Sequence, residues 1–120
     1  MLKCIDNIYE RKVMPAEKSP EPPIIAQLND AFRRSGRDLF ITSGIQALPD
    51  LPELLVAVQQ FDNFTPDNDP YGEHDFGSIN WHDNKTFWKI DYFDQTLEYG
   101  EDALSRDCRR ILTIMLASEY

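Results

Sequence analysis

The segment FGSINWHDNKTFWKIDYF, Phe76 to Phe93, constrains the fold more than any other part of the 120-residue chain. It reads as a β-hairpin with Asp83-Asn84 as the two turn residues, which sets position 81 opposite 86 and position 79 opposite 88. In that register Gly77, Ile79 and Trp81 share a face with Thr86, Trp88, Ile90 and Tyr92. The other face carries Phe76, Ser78, Asn80, His82, Lys85, Phe87, Lys89, Asp91 and Phe93. One face is apolar and the other mixed, the pattern of an antiparallel pair buried on one side. The apolar face requires a second layer.

Helices are the candidates for that layer. Over Pro23 to Ser35, Ile24, Ile25, Leu28, Ala31 and Phe32 recur with helical spacing, prolines sit at the start and Gly36 follows the end. RDLFITSGIQAL reads as a strand with Leu39, Ile41 and Ile45 on one face, and Gly44 marks a bulge or its end. A second helix is expected from Leu51 to Phe61. Asp50 would be its N-cap, Glu53 would complete a capping box, and Leu54, Leu55, Val58 and Phe61 would form its stripe. A third is expected from Ser105 to near the C-terminus, with Cys108, Ile111, Leu112, Met115 and Leu116 as its stripe. The predicted class is α+β: a small antiparallel sheet of at least three strands, including the hairpin, packed with about three helices.

Residues 1–22 read as an N-terminal arm, because KVMPAEKSPEPP is proline-rich linker sequence; a single domain then covers 23–120. The two cysteines, Cys4 and Cys108, lie far apart and form no CxxC pair, which points to a reducing compartment. No apolar signal segment and no membrane-length apolar run is present, so a cytoplasmic protein without membrane association is expected.

The net charge of −9 is concentrated. Between Asp62 and Asp107 there are 12 acidic residues against only Lys85, Lys89 and Arg106, and the rest of the chain is neutral in sum. Such a field repels nucleic acid and attracts basic partners.

The densest part is FDNFTPDNDPYGEHDFG, Phe61 to Gly77. Thr65-Pro66-Asp67-Asn68 and Asp69-Pro70-Tyr71-Gly72 are both turn sequences with proline at the second position. Asp67, Asp69 and Gly72 match positions one, three and six of an EF-hand loop. Tyr71 at the fifth and Ser78 at the twelfth position exclude that motif. A cation site of another kind, built from Asp67, Asp69, Glu73, His74 and Asp75, is an alternative reading, with a divalent cation as its cofactor. No metalloprotease, nucleophile-elbow or nucleotide-binding motif occurs, so the balance favours a protein that is not an enzyme and needs no cofactor.

Taken with ITSGIQALP before it and FWKIDYFDQTLEYG and RRILTIMLASEY after it, this motif resembles a family of small uncharacterised bacterial proteins. That family is a domain of unknown function often carried on plasmids and other mobile elements, and the resemblance runs from about Pro23 to Tyr120. It implies a setting in which small acidic proteins act as anti-CRISPR or anti-restriction inhibitors, and it supplies no catalytic residues. The leading expectation is a non-enzymatic acidic binding protein. Asp62, Asp67, Asp69, Tyr71, Glu73 and Asp75, with Asp94, Glu98, Glu101 and Asp102, would engage the basic surface of a nucleic-acid-binding protein partner, with carboxylates standing in for phosphates.

Overall fold

The computed structural model describes residues 24–120, so the expected arm at 1–22 lies outside the described residues. The elements run α1 (Ile24–Ser35), β1 (Leu39–Ile41), α2 (Ser43–Gln46), α3 (Leu51–Gln59), β2 (Phe76–Trp81), β3 (Asn84–Phe93) and β4 (Arg109–Leu116), closing with a 3₁₀ turn at Ala117–Glu119. The four strands form one sheet in the order β1-β4-β3-β2. β2/β3 and β3/β4 are antiparallel, whereas β1 runs parallel to β4. The α+β class therefore holds, with a mixed sheet.

The hairpin forms, but its turn is His82-Asp83 rather than Asp83-Asn84. Trp81 pairs with Asn84, Ile79 with Thr86 and Gly77 with Trp88. His82 and Asp83 both have positive φ, 48° and 67°, as a two-residue turn compatible with strand twist requires. The register is offset by two residues from the expected one, and side-chain direction repeats every two residues. Each residue therefore keeps the face it was assigned.

That face is the core. Trp88, Ile90, Leu112 and Ile114 of the sheet pack against Phe32 of α1, Ile45 of α2 and Leu54 and Val58 of α3. Gly77 is fixed by this packing, because a Cβ at that position would overlap the Trp88 indole of its cross-strand partner. Trp88 Nε1 is buried with no hydrogen-bond partner among the described residues, so the indole is held by packing and ring contacts and not by a hydrogen bond.

The expected C-terminal helix is a strand. In RRILTIML, Leu112 and Ile114 are buried on the helix-covered face, and Ile111 and Met115 are buried on the other. β4 lies between β1 and β3, and a strand buried on both faces reads as a continuous apolar run that fits a helical stripe equally well. Ser105, expected as the helix cap, instead accepts the Asp107 amide at 3.0 Å in the turns leading to the strand.

The expected strand RDLFITSGIQAL is only three residues long. Thr42 then caps α2, and Ile45 reaches the core from that helix. At α3 the expected capping box is not formed. Asp50 has φ 58° and its side chain makes no cap bond; Oδ2 lies 3.1 Å from His82 Nε2. Pro52 in the first turn also removes one of the amides that a cap would bind.

The face of α1 is rotated by one position from the expected stripe. Ile24, Leu28 and Ala31 are exposed, while Ala26, Asn29, Phe32 and Arg33 are buried. Two polar side chains thus point into the molecule, and they position the acidic loop.

Candidate functional site

Asn29 and Arg33 lie one turn apart on the inner face of α1, both fully buried. Arg33 binds the end of α3: its Nε donates to the Val58 carbonyl at 3.0 Å and its Nη2 to the Phe61 carbonyl at 2.8 Å. Its third contact is Asp30 Oδ1 at 3.0 Å, and the guanidinium lies over the rings of Trp88 and Phe64. Burial lowers the pKa of Arg33, and the bond to Asp30 acts in the opposite direction. A buried cation needs this complete set of partners.

Asn29 is equally committed. Its Nδ2 donates to the Glu73 carbonyl at 3.0 Å and to the Tyr92 hydroxyl at 2.8 Å. Its Oδ1 accepts from Arg110 Nε at 2.7 Å. Tyr92 in turn donates to Glu73 Oε1 at 3.0 Å, and Arg110 Nη2 donates to the Ala103 carbonyl at 2.8 Å. A continuous polar chain, Glu73–Tyr92–Asn29–Arg110–Ala103, therefore links the loop before β2 to the segment before β4. Burial raises the Tyr92 hydroxyl well above its ordinary value.

The loop itself is built as its composition predicts. Thr65 and Asn68 exchange backbone-to-side-chain bonds of 2.9 and 3.3 Å, and the Gly72 amide closes the second turn on the Asp69 carbonyl at 3.0 Å. Asp69 faces inward and accepts the amides of Glu73 and His74 at 3.2 and 3.3 Å. His74, at φ 58°, stacks flat on Phe64 with ring centroids 3.8 Å apart. Its Nδ1 lies 3.0 and 3.1 Å from the two Asp30 oxygens, and its Nε2 lies 3.7 Å from Asp69 Oδ2.

The candidate site residues thus divide into two groups. Asp69 and Glu73 are internal fasteners, and Asp75 lies half-buried beside them, its carbonyl accepting the Ile90 amide at 2.9 Å. Burial, with Glu73 adding to it, pushes Asp75 above the usual carboxylate range. Asp62 and Asp67 face outward, and Tyr71 is 85% exposed at the second turn.

In the later acidic segment, Asp94 accepts from Thr96 Oγ1 at 2.7 Å and from the Thr96 and Glu98 amides, and Asp102 accepts the Leu104 amide at 2.9 Å. Those bonds hold Asp94 below its ordinary value, the Thr96 hydroxyl contributing most. Glu101 is half-buried, while Glu98 and Tyr99 are exposed.

The five residues of the cation-site reading do not converge. Asp67 is exposed, Glu73 turns to Tyr92, and only Asp69 and His74 face each other. Among the described residues no group of three or more His, Cys, Asp or Glu side chains stands where it would hold a metal ion.

Asn29, Asp30, Arg33, Tyr92 and Arg110 were not expected at this site. The spacing of Asn29 and Arg33, polar residues four apart beside Phe32, is the signal that the sequence offers for them.

Residues 41–119, more than half of the chain, match the model of the family described as "Protein of unknown function (DUF3768)", and the chain belongs to that family. No curated protein matches the chain. No solved structure matches it either. No helix among the described residues is long and apolar enough to cross a membrane.

Proposed function

We propose that this member of the family is a non-enzymatic binding protein whose two acidic segments form one surface for a basic, nucleic-acid-binding protein partner. The supporting observation is the division of labour within the loop. Inward-facing Asp69 and Glu73 hold the backbone, so that Asp62, Asp67 and Tyr71 are displayed on a fixed frame. The polar chain through Asn29 and Arg110 fastens the second segment, with exposed Glu98 and Tyr99, to the same end of the sheet. Outward carboxylates beside exposed tyrosines have the chemistry of an interface with an aromatic anchor and a charged rim. A pre-ordered loop also loses little entropy on binding.

In the bacterial mobile-element setting that the sequence resemblance implies, such a surface would occupy the nucleic-acid groove of a host defence complex and inhibit it, as anti-CRISPR or anti-restriction proteins do. Carboxylates would take the place of phosphates, and association would weaken with salt.

The test is capture of partners by the full chain from bacterial hosts carrying defined defence systems, with competition by nucleic acid. The variant is Asp62→Asn/Asp67→Asn/Tyr71→Ala, which spares the internal fasteners. Capture of a nucleic-acid-binding protein, displaced by its nucleic acid and lost in the variant, is the expected result. Capture that is unchanged in the variant, or indifferent to nucleic acid, overturns the reading.

A further inference from the structure

Arg110 also borders a feature that the acidic surface does not use. Between the outer side of α1 and the starts of β1 and β4 lies a cleft of about 350 Å³. One wall is apolar, made by Leu28, Ala31 and Phe32 of α1, and the other is cationic, made by Arg37, Arg109 and Arg110. Asp38 and Cys108 complete the lining.

We propose that this cleft binds a small organic oxyanion: a carboxylate or phosphate group carried on an apolar body such as an aryl ring. Three arginines and one carboxylate are among the residues that line it, in a chain whose net charge is −9. Like charges brought together repel one another unless an anion joins them.

The donors are also incompletely used. Arg110 is held rigidly by Asn29 and Ala103, and among the described residues its Nη1 meets only Cys108 Sγ at 3.7 Å. Burial raises the Cys108 thiol, so that sulfur is a neutral, weak acceptor. Arg109 Nη2 is 3.6 Å from Asp38 Oδ1, longer than a charge-assisted hydrogen bond, and both side chains are about 40% exposed. Arg37 is exposed, and its Nε is 3.4 Å from Ser35 Oγ.

Arg110, held in place, with Arg37 and Arg109 also in the lining, suits a planar oxyanion, which arginine binds with paired N–H groups. The apolar wall supplies the second half of the site. Leu28 is 41% exposed on α1, and Phe32, one turn on, is buried. The volume lies at the lower end of the range for small-molecule sites, enough for one ring and its head group. The acidic segments nearby disfavour an extended polyanion, so a small ligand fits where nucleic acid does not.

The test is NMR titration of the isotopically labelled full chain with phenylacetate, phenyl phosphate, inorganic phosphate and neutral benzyl alcohol. Saturable shifts at the Arg110 Nε–H, at the Cys108 and Arg109 amides and at the Leu28 and Ala31 methyls are expected with phenylacetate or phenyl phosphate. Binding of either supports the proposal, and the tighter of the two identifies the head group. Arg37→Gln and Arg109→Gln, exposed positions that leave the fold intact, should each weaken binding about tenfold, the worth of one charge-assisted pair. Ala31→Trp, at an exposed position, should abolish binding by filling the cleft. Three results would overturn it: no saturable shift at about 10 mM ligand; inorganic phosphate or benzyl alcohol binding as tightly as the aryl anions; or unchanged affinity in both arginine variants. None of these depends on the protein-partner reading.

Discussion

Asn29 Oδ1 accepts a hydrogen bond from Arg110 Nε at 2.7 Å, joining residues 81 positions apart in the chain. Through the same amide, α1 reaches the Glu73 carbonyl and the Tyr92 hydroxyl. One buried side chain therefore couples the first helix, both antiparallel central strands and the acidic loop. Asn29→Ala would strand the Tyr92 hydroxyl, the Glu73 carbonyl and the Arg110 guanidinium in a site with little water. The expected loss is about 2–4 kcal/mol of unfolding free energy, several times the worth of an average hydrogen bond. Urea denaturation measures it. Because the three bonds act together, the cycle of Asn29→Ala with Tyr92→Phe should be non-additive, with the double variant less destabilised than the sum. Additive losses would show that the chain of bonds is not a unit.

The pairing of Gly77 with Trp88 gives a second prediction. A Cβ at Gly77 would overlap the indole, which is fully buried and cannot move without displacing Phe61 and Phe64, its edge-on neighbours. Gly77→Ala should cost about 1–3 kcal/mol through overpacking, despite the better strand propensity of alanine. A thermal melt and the near-ultraviolet circular dichroism of Trp88 report it. A Tm equal to or above that of the parent would refute the close packing.

These two relationships also mark what the sequence made legible. The hairpin was readable because alternation survives an even offset in register. Moving the turn from Asp83-Asn84 to His82-Asp83 left Ile79, Trp88 and Ile90 facing the core. β4 was not readable as a strand, because burial on both faces erases the alternation that distinguishes Ile111 from Leu112. The inner face of α1 was hidden for a different reason. Hydropathy assigns Leu28 inward and Arg33 outward, whereas the partners of Arg33, the Val58 and Phe61 carbonyls, lie 25 and 28 residues away. Turn chemistry in the acidic loop is local: the Gly72 amide closes the second turn on the Asp69 carbonyl as expected, while the first closes one residue later, the Thr65 carbonyl accepting the Asp69 amide at 2.8 Å. The inward turn of Glu73 is set by the distant Tyr92, and no local pattern encodes that.

At the alkaline end, Tyr92 sets the behaviour. Burial comes first among the causes that raise its hydroxyl above the ordinary 10.0, with Glu73 contributing as well. The unfolded chain therefore releases this proton at a lower pH than the folded protein does. Stability from this group is fully present below about pH 10 and falls as pH rises further. Tyr92→Phe should lower stability at neutral pH, because the bonds to Asn29 and Glu73 are lost, and should flatten the decline above pH 10. Denaturant unfolding across that range tests both parts. An unchanged alkaline slope would exclude Tyr92 as its source.

The acid end depends on Glu119, whose carboxylate joins the C-terminal turn to α2. Oε1 accepts from Thr42 Oγ1 at 2.6 Å and from the Leu116 amide at 2.8 Å, and Oε2 accepts the Gly44 amide at 3.2 Å. These bonds, that from Thr42 foremost, hold the group below its ordinary 4.5. For a carboxyl with a depressed folded-state value, the contribution is present above 4.5 and disappears as pH falls through the lower folded value. Asp75 has the opposite sign: burial raises it, so its ionisation opposes folding at neutral pH and that penalty fades on acidification. Glu119→Gln should therefore make the acid limb of the stability curve shallower, and Asp75→Asn should make it steeper while raising stability at pH 7. Chemical denaturation from pH 7 down to about pH 3 resolves the two slopes. Parallel acid limbs for Glu119→Gln and the parent would show that the tie between Thr42 and Glu119 is not maintained in solution.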